Sequence, residues 1–133
     1  MNYSVPGTSS SSVTPVELAN HSAEFRKEVI NVTDGVHVAI GYGLANSVLL
    51  EGNDGIVIVD TLESVEAALP VKHAFDEITS KPLKAIIYTH YHSDHIGGAG
   101  VFAGNNKVDV YTQDETVKEL NRVSMVSKAI HER

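Results

Sequence analysis

Apolar and polar positions alternate along Glu28-Val29-Ile30-Asn31-Val32 and again along Val36-His37-Val38-Ala39-Ile40. A period of two is that of half-buried strands, and the Asp34-Gly35 between them is a hairpin turn signal. His37 is expected on the sheet surface. Gly41 to Ala45 reads as a bend, Asn46 to Glu51 as a third strand and Gly52-Asn53-Asp54-Gly55 as a second turn. Ile56-Val57-Ile58-Val59 is unbroken and β-branched, which predicts a strand buried on both faces. The period then lengthens. From Glu63 to about Ser80, Val65, Leu69, Phe75 and Ile78 fall close to one helical face. Pro70 should kink that helix or reset its start, His73 faces solvent, and Lys81-Pro82 closes it. Lys84 to Thr89 is the next buried strand, Gly97 to Ala103 a short helix and Val108 to Tyr111 a strand. Asp114 to Arg133 is a final helix, with Val117, Leu120, Val123 (or Ser124), Ala129 and Ile130 as its apolar positions. Asp114 and Glu115 suit its positive end.

Hairpin strands followed by strand–helix–strand–helix–strand–helix make a layered α/β plan. Residues 1–16, rich in serine through Gly7 to Ser12, read as a flexible leader, and 17–133 as the folded part. His21 follows a helical turn over 15–20 and reads as a surface side chain. At 133 residues this is one domain or part of one. Acidic residues outnumber Lys and Arg by 17 to 10, a net charge of -7. No basic patch is visible, which disfavours nucleic acid and anionic membrane as partners. Without cysteine there are neither disulfides nor thiolate metal sites. No apolar run approaches the roughly 20 residues of a membrane span, and the first residues lack the basic and apolar regions of a signal peptide. Three Asn-x-Ser/Thr sequons, at Asn2, Asn20 and Asn31, matter only in a glycosylating compartment.

The chemistry is concentrated in Thr89-His90-Tyr91-His92-Ser93-Asp94-His95-Ile96-Gly97-Gly98. Imidazole and carboxylate donors suit zinc and related divalent ions. His90 and His92 are two apart at a strand end and can converge on one point. Asp94 and His95 come after the chain turns and aim at a second. Two neighbouring divalent ions can activate a shared water near neutral pH. Gly97 and Gly98 let the backbone leave the loop in a tight path. The bland reading is a histidine-rich surface loop that collects adventitious metal. Upstream, Asp60 at the mouth of Ile56–Val59 reads either as a helix N-cap or as a carboxylate that braces the metal loop from behind.

His90-x-His92-x-Asp94-His95, with Val57-Ile58-Val59-Asp60-Thr61, resembles the metallo-β-lactamase-fold hydrolases. His21-Ser22-Ala23-Glu24-Phe25, Gly41 to Ser47, Asp60 to Ser64 and Ile86 to His90 are most similar to the alkyl (type III) sulfatases of that superfamily. The resemblance implies an αββα sandwich, of which this chain would be the N-terminal half, and a binuclear zinc hydrolase of alkyl sulfate esters. It implies His90 and His92 on one ion, Asp94 and His95 on the other, Asp94 as catalytic residue, and Asp60 supporting the loop. It is compatible with a homodimer of the full-length protein and leaves periplasmic and secreted locations open. Two ligands per ion fall short of a catalytic zinc site, and His131, the one histidine after the loop, reads as an exposed helix end. The chain alone is therefore expected to bind metal weakly and not to turn over substrate. The alternatives are another hydrolase of this fold (a lactonase, thioesterase or β-lactamase) and a non-catalytic metal-binding fragment.

Overall fold

The computed structural model of the protein describes residues 16, 20–21 and 26–131, with side chains through residue 124. The leader expected over 1–16 lies outside the described residues except for Val16. The side chains of Ala129, Ile130 and His131 lie outside them too.

Six strands form one sheet in sequence order: β1 (Glu28–Thr33), β2 (Val36–Ile40), β3 (Ser47–Glu51), β4 (Ile56–Val59), β5 (Leu83–Ile87) and β6 (Asp109–Tyr111). The first four are antiparallel, and β4, β5 and β6 run parallel. Hairpins join the antiparallel part. Gly35, at φ 72°, makes the first turn, and a Cβ there would sit 2.8 Å from the Glu51 carbonyl oxygen. Parallel neighbours need a crossover. It is supplied by α1 (Val65–Ile78) between β4 and β5, and by α2 (Ser93–Ile96) with α3 (Ala99–Ala103) between β5 and β6. A long helix, α4 (Asp114–His131), follows.

The helices cover one face of the sheet. Leu49, Ile58 and Ile86 stand in register across β3 to β5, and with Ala39 of β2 they pack against Ala68, Val71, Phe75 and Phe102. The Phe75 and Phe102 rings lie 6.4 Å apart and tilted, a favourable aromatic separation. On the other face Val38, Val48, Val59 and Ile87 form a second aliphatic row, partly exposed.

Several expectations are corrected here. His37 is 9% exposed, not a surface histidine. It shares the phase of Ala39 and stands opposite Asn31 and Leu49, so strand alternation carries it to the covered face. The strand β4 is not buried on both sides: only Ile58 is fully buried, because its other face carries the half-open row. In α1 the buried residues are Ala67, Ala68, Val71 and Phe75, while Val65 and Leu69 are exposed. Small alanines let the helix lie close to the sheet, and that selects the face over the bulkier Val65 and Leu69. The helix also runs unbroken through Pro70, starting from Ser64, whose side chain accepts a hydrogen bond from Ala67 N. In α4 Val117 and Val123 are exposed, and Thr116 is buried instead.

Candidate metal centre

The strand β4 ends by leaving the β region abruptly. Asp60 has φ 57° and Leu62 has φ 66°. Aspartate visits this left-handed region readily, whereas for leucine it costs about 1–2 kcal/mol. The backbone groups turned out by this geometry hold the histidine loop. Thr61 N and Thr61 Oγ1 donate to the His95 carbonyl at 2.7 and 3.1 Å, and Gly98 N donates to the Leu62 carbonyl at 3.1 Å. A Cβ on Gly97 would collide with the Glu63 carbonyl, and one on Gly98 with the Thr61 carbonyl and Ala68. The glycine exit predicted from sequence is thus a close backbone-to-backbone contact.

Asp60 faces the loop with its whole carboxylate. Oδ1 accepts from Thr89 N at 2.9 Å and Oδ2 from Thr89 Oγ1 at 2.7 Å, while His95 Nδ1 lies 2.8 Å from Oδ2. The N-cap of α1 is Ser64, so Asp60 does not serve as a helix cap. On the other side of the Asp60 peptide, Ser47 Oγ donates to the Asp60 carbonyl at 2.7 Å. The Asp60 N–H is bound by the Ile87 carbonyl at 2.9 Å, which joins the segment to β5.

His90, His92, Asp94 and His95 all gather at the end of β5. His90 Nε2 is 3.1 Å from His92 Nδ1, and His95 Nε2 is 3.4 Å from Asp94 Oδ2. The His90 and His95 ring centroids are 3.9 Å apart. Among the described residues no three His, Asp or Glu side chains form a ready metal cage. The donor pairs do have a suitable spacing. Two ligands on a tetrahedral zinc, each at about 2.0–2.1 Å, stand about 3.3 Å from one another. His21 and His73 are exposed and belong to other parts of the chain.

Sequence reading gave no role to Thr89, Thr61, Ser47 or Glu63. Glu63 Oε2 accepts from Leu44 N at 3.2 Å and brings the bend after β2 up to the loop. Their shared signal is position: each lies within a residue or two of a strand end or turn that meets the loop. Burial pushes the Tyr88 phenol up, so the residue leading into the loop stays protonated through the neutral range.

Residues 40–132 match the family model described as the Metallo-beta-lactamase superfamily. A linear primary-alkylsulfatase of Pseudomonas sp. is 45% identical over 60 residues, covering 45% of this chain and 11% of its own length. The alkyl/aryl-sulfatase BDS1 of Saccharomyces cerevisiae is 38% identical over 71 residues, covering 53% of this chain and 11% of its own. Among solved structures, the stereoselective inverting sec-alkylsulfatase Pisa1 from Pseudomonas sp. superposes with a TM-score of 0.61 at 27% identity, over 71% of this chain and 16% of that one. The chain therefore spans 11% of the length of each of these two curated relatives.

Proposed function

The chain belongs to the Metallo-beta-lactamase superfamily, and from that premise we propose that it carries the metal loop of a binuclear zinc hydrolase acting on sulfate esters of alkyl alcohols. One observation supports this above others. His95 is tied through Nδ1 to the buried Asp60 and presents Nε2 beside Asp94 Oδ2. A carboxylate on one ring nitrogen fixes the tautomer and aims the other, as in metal-ligating histidines generally. The donor chemistry fits zinc, with His90 and His92 holding one ion and Asp94 and His95 the other. When bound, the ions would polarise the ester and make a water acidic enough to ionise near neutral pH.

The chain's own residues do the rest. Asp60 and Thr89 hold His95 in one orientation. Asp94, partly exposed beside His95, takes the catalytic role by accepting the water's proton. The alkylsulfatase names of the relatives support the substrate class. Two donors per ion fall short of the three that catalytic zinc takes. On this reading the 133-residue chain binds zinc weakly and by itself turns over no alkyl sulfate.

Zinc titration with a chromogenic competitor, beside dodecyl sulfate, lactone and β-lactam assays, tests this. The expected result is weak zinc binding that His92→Ala reduces at least tenfold and His73→Ala leaves unchanged. Equal effects of the two substitutions would refute the ligand assignment. Two tightly held ions with turnover of dodecyl sulfate would refute the inactivity of the chain. Turnover of lactone alone would refute the sulfate-ester reading.

A further inference from the structure

We infer that Ser47, on β3 and outside the metal loop, is a positioning residue for the centre: its hydroxyl fixes the left-handed turn at Asp60 and thereby the carboxylate that orients His95. For its functional meaning this rests on the metal-centre reading above.

The main ladder between β3 and β4 ends at the Val48–Val59 pair. One residue further, the chain does not continue as strand. Asp60 adopts φ 57°, and its N–H turns to Ile87 of β5. The Asp60 carbonyl has left the ladder and lies beneath a covered part of the protein, where an unpaired acceptor is unfavourable. Ser47 supplies the partner at 2.7 Å. Ser47 is itself fully buried, and this is the one hydrogen bond of its side chain among the described residues. A buried hydroxyl in a strand that otherwise packs aliphatic groups is disfavoured unless it is bonded, so its presence has to be explained by that bond.

The geometry connects this bond to the loop. Ser47 holds the oxygen of the same residue whose two carboxylate oxygens meet Thr89 N, Thr89 Oγ1 and His95 Nδ1. Rotation of the Asp60 peptide toward ordinary strand geometry would swing the Cα–Cβ bond and carry the carboxylate away from both. Ser47 thus acts on His95 through Asp60 and not by contact.

The test compares Ser47→Ala and Ser47→Thr with Ile58→Val, a substitution at a fully buried position of β4 on the same face. Two quantities are read: hydrogen exchange of the Thr89 amide in metal-free protein, and zinc affinity by competition. Ser47→Ala should speed Thr89 exchange at least tenfold relative to amides in the middle of β3, and weaken zinc about tenfold, the low end of the range for groups behind a metal ligand. Ser47→Thr, which keeps the hydroxyl, should restore most of both. In an Asp60→Ala background Ser47→Ala should change neither further.

If Ser47→Ala lowers the melting temperature like Ile58→Val and leaves Thr89 exchange and zinc affinity at the wild-type values, the proposal is overturned. Additive effects in the double variant overturn it too. Should Ser47→Ala not fold, Ser47→Cys takes its place with the same expectations. If the wild type takes up no zinc, the metal reading fails on its own, and Thr89 exchange still decides the role of Ser47.

Discussion

Replacing Asp60 by Asn isolates the carboxylate from everything else at this turn. Asparagine tolerates the left-handed φ of 57° at least as well as aspartate, so the backbone has no reason to move. The side chain keeps its shape. What changes is that one oxygen becomes an NH2. Oδ1 can still accept from Thr89 N. At the Oδ2 position two contacts are lost, from Thr89 Oγ1 and from His95 Nδ1. Hydrogen bonds to charged groups contribute about 1.5–3 kcal/mol each. The Thr89 hydroxyl can turn and accept from the new NH2, which recovers part of one. His95 Nδ1–H meets a donor and must give up its orientation. The balance is a loss of about 2–4 kcal/mol, and Asp60 is buried, so solvent screening does not dilute it. Urea denaturation should show a lower midpoint with an unchanged slope, since the surface exposed on unfolding is the same. Zinc affinity should fall about 10- to 100-fold. A stability loss under about 0.5 kcal/mol would refute the idea that this carboxylate organises the loop.

Two further predictions concern the loop's exit and the far end of the sheet. Gly98→Ala forces its Cβ onto the Thr61 carbonyl and Ala68; overpacking of this kind costs about 1–3 kcal/mol, measured as a lower midpoint in urea, while Gly100→Ala, where a Cβ meets nothing within 4 Å, should not destabilise. Lys81 beside Glu51, at 2.8 Å, holds that carboxyl below the usual glutamate range. A depressed pKa gives stability that is present above the ordinary glutamate value and lost as pH falls through the lowered one. Lys81 also donates to the Gly52 carbonyl at 3.0 Å, so the stability gap between wild type and Lys81→Met should be steady near neutral pH and narrow in acid; a gap that does not change with pH would contradict the assignment.

Much of this was legible in the residues because local chemistry agreed with the fold. The Asp34-Gly35 turn, the alternation on either side of it and the β-branched run of β4 all reflect strand geometry. The donors of the loop stand out because histidine and aspartate are concentrated in one short stretch. The misreadings share a physical origin. His37 and the buried face of α1 depend on which side of an element meets a partner, and that is decided by packing across the sheet. Large side chains drew the eye to Val65 and Leu69, but Ala67 and Ala68 allow the closer approach and take the buried face. Ile56–Val59 has the composition of a strand covered on both sides, while the described helices cover only one. Ser47 and Thr89 were marked only by their positions at strand ends: a lone hydroxyl becomes informative once the backbone beside it is seen to bend.

The contacts that orient the loop are long in sequence. Asp60 and His95 are separated by 35 positions, and Thr61 and His95 by 34. The loop's four donors, by contrast, are neighbours in any conformation of the chain. On the proposed metal-centre reading, an unfolded molecule keeps His90, His92, Asp94 and His95 together and retains some attraction for zinc, but it has lost Asp60. Zinc therefore stabilises the fold only by the ratio of its affinities for the two states. The melting temperature should rise less than the native affinity alone implies, and the shortfall measures how much of the binding is written in six residues and how much in the fold that brings Asp60 to them.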